Sequence, residues 1–262
     1  MKMQHTIAIV GGGRMGRAMT AALGAAGVSA TGPHGRGFDG AGADAVLLCV
    51  PDGQIAAAAA AVAPGPLVGH CSGATGLDVL APHEAFALHP LMTITRRGGD
   101  FRAAGAAVAG SSDRALALAT ELARALGMRP FEIADEDRAA YHAGAAMASN
   151  FLVTLESAAE RVSGVERELL VPLVRAAVET WAAEGDGALT GPIARGDEET
   201  VARHREAIAE RAPELLALYE VLADATRAVA ARAGSVGAED AASGAAATAA
   251  AGAAGERAEV PA

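Results

Sequence analysis

Short apolar runs alternate with helix-spaced stretches over the first half of the chain. Residues 7–10 form one such run, Ile7-Ala8-Ile9-Val10, and an Ala-rich stretch over about 14–26 follows it. A four-residue apolar run reads as a strand covered on both faces, and the longer stretch behind it as a helix. The alternation then repeats. Residues 28–31, 45–50, 66–70, 87–91, 106–109 and 129–131 read as strands, and helical patterns follow Pro51-Asp52 and cover 115–126. Strands alternating with helices predict an α/β class built on a parallel sheet. From Asp135 the pattern becomes helical throughout, over about 136–162, 166–184 and 198–232, with a Gly-rich loop at 185–196. Residues 234–262 hold Ala, Gly, Ser and Glu with almost no large apolar side chain, a composition expected to stay disordered.

The junction between the first strand and helix carries the most specific signal. It reads Gly11-Gly12-Gly13-Arg14-Met15-Gly16, a Gly-x-Gly-x-x-Gly motif set between strand and helix. Gly11 permits the tight turn, Gly13 lets the backbone approach a pyrophosphate, and Gly16 lets the helix pack closely on the strand. The helix N-terminus offers unpaired N–H groups and a positive dipole end to the anion. The organisation predicted is a Rossmann dinucleotide-binding domain over 1–132, an all-helical domain over 133–233 and the tail over 234–262.

Cofactor choice turns on the end of the second strand. A site for NAD places Asp or Glu there to hold the ribose hydroxyls. Here stand Thr31 and Gly32, with Arg36 close behind. NADP is therefore expected over NAD, with Arg36, helped by Arg14 or His34, holding the 2′-phosphate through charge-assisted hydrogen bonds; a solvated loop charge is the alternative. Met15, Val50 and Pro51 are expected to border the cofactor, as the ends of parallel strands do. Ser72, after the fourth strand, is a candidate contact for cofactor or substrate, or else a turn residue.

Composition removes several classes. The 262 residues carry a formal charge of −10, with 31 acids and no basic run, so a nucleic-acid partner is not expected. The 52% hydrophobic content is largely alanine, broken by Gly, Pro and charge. Neither a membrane span nor a signal peptide is read, and a cytoplasmic location is expected. Cys49 and Cys71 read as reduced thiols; Cys71 is expected to be a small hydrophobe, since His70 beside it in a strand points to the other face. No metal-ligand spacing is present. Among 21 basic residues the one lysine is Lys2, ahead of the first strand, so no lysine is placed to donate a proton.

The separated segments 11–16, 32–37, Val50-Pro51-Asp52, 70–74, Leu88-His89-Pro90-Leu91, Tyr141-His142-Ala143 with Ser149-Asn150, and 188–197 together resemble a family. Its members are bacterial proteins that join a Rossmann-like domain to a helical domain of unknown function. They are relatives of the superfamily of 6-phosphogluconate dehydrogenase, pyrroline-5-carboxylate reductase and prephenate dehydrogenase. The resemblance covers about 5–232. It implies an NAD(P)-dependent oxidoreductase and a homodimer formed through the helical domain, with a substrate cleft between the domains. It also marks a departure: β-hydroxyacid dehydrogenases carry a lysine just before the asparagine matched by Asn150, and this chain has Met147 three residues before it.

Hydride transfer needs a proton source and a group that polarises the acceptor. His142 is the first candidate, because imidazole can donate and be reloaded near neutral pH; packing at the domain junction is its alternative. On a regular helix, at about 100° per residue, Ser149 and Asn150 each fall within about 80° of His142. Asn150 would orient the substrate, as the resemblance implies. His89, held extended by Pro90 at a strand end, is the second candidate. Thr190 and Arg195 lie in the loop between helices, where Arg195 suits a substrate carboxylate. The reading is an NADP-preferring reductase or dehydrogenase of a small carbonyl or imine, with ketopantoate as the specific substrate to try. A non-catalytic NADP(H)-binding sensor is the alternative.

Overall fold

The computed structural model describes residues 5–234. Lys2, and all of the expected tail but Gly234, lie outside the described residues. Two compact units result, Met1–Leu152 and Val153–Ala262. The expected change of character near residue 132 comes earlier than this division.

In the first unit seven strands, β1 (Thr6–Val10), β2 (Ser29–His34), β3 (Ala45–Leu48), β4 (Leu67–His70), β5 (Ala85–Leu91), β6 (Gly105–Gly110) and β7 (Arg129–Glu132), make one sheet. Its order is β2-β1-β3-β4-β5-β6-β7. β1 to β5 run parallel, β6 turns antiparallel onto β5, and β7 pairs parallel with β6. The helices are α1 (Arg14–Ala25), α2 (Ile55–Ala59), α3 (Asp113–Ala125) and α4 (Arg138–Ala146).

The continuous apolar runs are explained by the two cores. Along β1 and β3, Ile7, Ile9 and Leu47 join one core with Met19 and Leu23 of α1, while Ala8, Val10, Val46 and Leu48 join another with Ile55 and Ala59 of α2. Side chains alternate across a strand, so a sheet covered on both faces needs apolar residues at every position. Each fully buried Ile or Leu contributes roughly 1.5–3 kcal/mol.

β2 runs further than expected. Its register on β1 shifts between Ala8 and Val10, and Val10 pairs with His34. The residues read as a loop from Gly32 are thus strand as far as His34. Gly32 makes this possible at φ +110°, where a Cβ would lie 2.5 Å from the Ile9 carbonyl oxygen.

After α4 a π-helical turn, Met147–Phe151, leads into α5 (Leu152–Ser163). The second unit continues with α6 (Arg167–Glu184), α7 (Pro192–Arg195), α8 (Glu198–Arg211) and a helix, α9, over 216–234. The single helix expected over 198–232 is therefore two. Pro213 has no N–H to donate and disfavours helical backbone before it, and Ala212 leaves the helix at φ −152° and ψ 64°. Among the described residues no helix is long and apolar enough to cross a membrane.

Candidate functional site

Strand order reverses at β1, which lies between β2 and β3, so the loops leaving β1 and β3 diverge and open a crevice at their C-terminal ends. A cavity of about 630 Å³ occupies this place. Gly11, Gly12 and Gly13 line it from β1, His34 and Arg36 from the end of β2, and Val50 and Pro51 from the end of β3.

Gly11 sits at φ +112°, and a Cβ there would lie 2.4 Å from the Cys49 carbonyl oxygen. A Cβ on Gly16 would lie 1.8 Å from the Gly11 carbonyl oxygen, so this glycine lets α1 close onto the loop. At Gly12 and Gly13 a Cβ would meet nothing within 4 Å, the open approach a phosphate needs. The first turn of α1 has no acidic residue and no side-chain cap, leaving its N–H groups to an anion. Arg36 is exposed, and among the described residues it has no ion pair and the cavity lining holds no carboxylate. A dinucleotide with an additional phosphate fits these donors.

The other expected cofactor residues fall elsewhere. Arg14 lines a neighbouring cavity rather than that of Arg36. Met15 packs on the first core, and Gly16 acts through packing alone. Ser72 is buried, and its hydroxyl is taken up internally: it donates to Asp52 Oδ2 (2.8 Å), lies 2.9 Å from Thr75 Oγ1, and accepts from the N–H groups of Ala74 and Thr75.

A second group of polar residues gathers around the C-terminal ends of β4 and β5. His70 is fully buried; its Nε2 donates to the Gly76 carbonyl (3.1 Å) and its Nδ1 accepts from the Ser72 N–H (3.2 Å). Burial lowers its pKa. His89, at the end of β5, places Nδ1 2.7 Å from the Tyr141 hydroxyl of α4. The rings of His89 and His142 are 6.3 Å apart. Gly73 lets the turn after β4 approach, since a Cβ there would lie 2.8 Å from His89 Cε1. Arg138 of α4 is 2% exposed and donates from Nε to Asp135 (2.6 Å), while its buried Nη2 has no partner. Burial, and then the charges of His142 and Arg138, push the His89 pKa down to about 4, with Asp52 opposing. Burial pushes the Tyr141 hydroxyl up.

The His89 shift sets a pH dependence. With a folded pKa near 4 against 6.5 unfolded, the unfolded chain binds more protons between these values. Stability is complete above about pH 6.5 and falls toward pH 4, by up to about 3 kcal/mol for this one group. Denaturant unfolding at pH 7.5 and 4.5 should show a smaller loss in His89→Gln than in the parent, and an equal loss in both would contradict the assignment.

Tyr141 and Arg138 are the residues missed from sequence. Tyr141 is one of two tyrosines in the chain and stands beside His142, but its partner lies 52 residues away. His142 and Asn150 are exposed, and Ser149, hydrogen-bonded to the Ala145 carbonyl (2.7 Å), is half-buried. Ser149 and Asn150 sit in the π turn, which puts an extra residue into the helix, so the regular 100° count from His142 does not carry through it. Thr190 and Arg195 belong to the second unit, Arg195 closing α7. Cys49 and Cys71 are free thiols with sulfurs 3.6 Å apart; hydrogen bonding to Cys49, with burial, pushes the Cys71 thiol up, so it is no nucleophile.

Strand order and crevice define a Rossmann-type fold followed by a helical region. Residues 105–226 match the family model described as a domain of unknown function, DUF2520. Among solved structures, a Thermotoga maritima protein is similar with a TM-score of 0.72 at 22% identity, over 87% of this chain and 99% of that one. A Bacteroides fragilis protein assigned provisionally to the NADP oxidoreductases has a TM-score of 0.72 at 19% identity, over 85% and 98%. The reductive aminase of Aspergillus terreus, in complex with NADPH and ethyl levulinate, has a TM-score of 0.59 at 17% identity, over 87% and 98%. At these identities the likeness establishes the fold. No curated protein matches the sequence.

Proposed function

We propose that the protein is an NADP-dependent oxidoreductase that reduces a small carbonyl or imine compound bearing a carboxylate, with ketopantoate the first substrate to try. The observation that carries this reading is the crevice at the β1 switch point, with its bare glycine backbone and a free Arg36 in a lining without carboxylates. Solved structures of the same fold that are named as NADP oxidoreductase and reductive aminase support it.

A reduced nicotinamide, when bound, supplies a hydride to the substrate carbon. A carbonyl oxygen then gains negative charge and takes a proton from the protein, whereas an imine nitrogen takes its proton before the hydride arrives and ends as a neutral amine. Tyr141 is the donor in this scheme, its hydroxyl directed by His89 Nδ1. With its pKa near 4, His89 stays neutral at pH 7 and acts by hydrogen bonding rather than as the acid. His142, exposed and beside His89, passes protons from solvent. The buried guanidinium of Arg138 provides a fixed positive charge that favours the anionic transition state. Asn150 orients the substrate. No lysine is required.

A homodimer through the helical unit belongs to the same proposal. α6 has no buried residue, and it exposes Leu169 (70%), Leu173 (69%) and Trp181 (64%). Val153 and Val221 are exposed as well, and burying such side chains against a second copy would remove apolar area from water. Light scattering should give twice the 25.9 kDa chain mass, and a monomer at micromolar concentration would refute this part.

The reading is tested by following NADPH absorbance with 2-keto acids, including ketopantoate, and cyclic imino acids. Oxidation driven by one of them is expected. NADPH binding without turnover on any would favour the non-catalytic sensor.

A further inference from the structure

Next to the dinucleotide crevice, and sharing only Gly13 with it, lies a cavity of about 910 Å³. Its lining includes Arg14 and Arg17, one turn apart at the start of α1, and Arg96 and Arg97 from the segment after β5. No carboxylate is among the lining residues.

The two pairs come from distant parts of the sequence, and each is held by local structure. Arg14 and Arg17 project from the uncapped first turns of α1. Arg96 and Arg97 form the tip of a tight turn. Thr95 and Gly98 exchange both backbone hydrogen bonds at 3.1 Å, the Thr95 hydroxyl donates to the Gly98 carbonyl (2.9 Å), and the Arg97 N–H donates to Thr95 Oγ1 (3.1 Å). The turn is therefore built so that both arginines sit at its end.

Among the described residues none of the four guanidinium groups has an ion pair, whereas Arg102, Arg114, Arg161, Arg167 and Arg227 each hold a carboxylate. In a chain with a net charge of −10, acids to neutralise such a cluster are plentiful. Like charges gathered in one cavity repel, and a helix N-terminus adds a positive dipole end, so the arrangement gains only when an anion enters. Guanidinium forks match phosphate oxygens bidentately, and several forks suit a ligand of several negative charges.

We propose that Arg14, Arg17, Arg96 and Arg97 form a site for a small phosphorylated anion of high charge, of the diphosphate type, bound separately from the dinucleotide in the adjacent crevice. The site goes beyond the NADP-dependent activity and gives the protein a second ligand, either the charged end of its substrate or an effector. The same chemistry exists in the diphosphate bridge of the dinucleotide itself, so the test must separate these two sources.

The probe is inorganic pyrophosphate, titrated calorimetrically at constant ionic strength, because screening within about 8–10 Å weakens exposed charges. It is titrated into the free protein, the NADPH-saturated protein, and the Arg96→Ser/Arg97→Ser and Arg36→Ser variants. The altered arginines are exposed, so the variants should melt as the parent does. The expected result is binding that persists with NADPH present and in Arg36→Ser, and that weakens at least about tenfold in the double variant. Three results would overturn the proposal: no binding to the parent, displacement by NADPH, or unchanged binding in the double variant. Should NADPH fail to bind at all, the cofactor reading falls, while the titrations of the free protein and the variants still decide this site.

Discussion

Gly16→Ala is expected to destabilise the protein by about 3 kcal/mol and to weaken NADPH binding by more than about tenfold. Two effects oppose each other at this position. Alanine is favoured over glycine inside a helix by about 1 kcal/mol. Against this, the new Cβ would lie 1.8 Å from the Gly11 carbonyl oxygen and 3.0 Å from its carbonyl carbon, both backbone atoms that cannot rotate away. α1 would have to move off the loop, straining its packing through Met19 and Leu23 and shifting the N–H groups that face the crevice. The clash outweighs propensity. Gly24→Ala on the same helix is the control, since a Cβ there meets nothing within 4 Å and should stabilise by about 0.5–1 kcal/mol. Denaturant unfolding and calorimetry of both variants check the pair, and a Gly16→Ala protein as stable as the parent would contradict the packing described.

The second large effect concerns the proton. Tyr141→Phe is expected to lower kcat by about 10²- to 10⁴-fold on whichever substrate the parent reduces, the range for loss of a positioned acid. NADPH affinity should stay unchanged, because Tyr141 does not line the glycine crevice. Removing the hydroxyl also leaves His89 Nδ1 without its partner at 2.7 Å, so a stability loss of about 1–3 kcal/mol accompanies it. Comparing kcat with KM separates the two consequences, as a general loosening would raise KM as well. Parent-like turnover in the phenylalanine variant would remove Tyr141 from the chemistry and return the acid role to His142.

What the sequence made legible was local. The apolar runs at 7–10 and 45–50 announce strands because a doubly covered sheet allows no polar position, and the glycine motif announces its crevice because each glycine answers one steric demand. Arg36 was legible as well, since the end of β2 always borders the crevice. Features that depend on distant partners stayed hidden. Tyr141 and His89 meet across 52 residues, and Arg14 and Arg17 meet Arg96 and Arg97 across about 80, with no periodic signal linking them. The extension of β2 depends on a register shift opposite Ala8 and Val10, and the π turn at Met147–Phe151 leaves no mark in the hydrophobic pattern. The break at Ala212 is a different case, because Pro213 was there to be read. Ser72 shows the limit of position as a guide: it lies at the functional edge of the sheet, yet its hydroxyl is consumed by the turn that holds Asp52.

In the function proposed, the crevice selects NADP through Arg36. Calorimetric titration of NADPH and NADH into the parent and Arg36→Ser tests it most directly. NADPH should bind the parent at least about tenfold more tightly than NADH, as charge-assisted hydrogen bonds to one phosphate require, and the preference should vanish in the variant with NADH affinity unchanged. Equal affinities in the parent, or a preference that survives loss of Arg36, would rule out this role for Arg36.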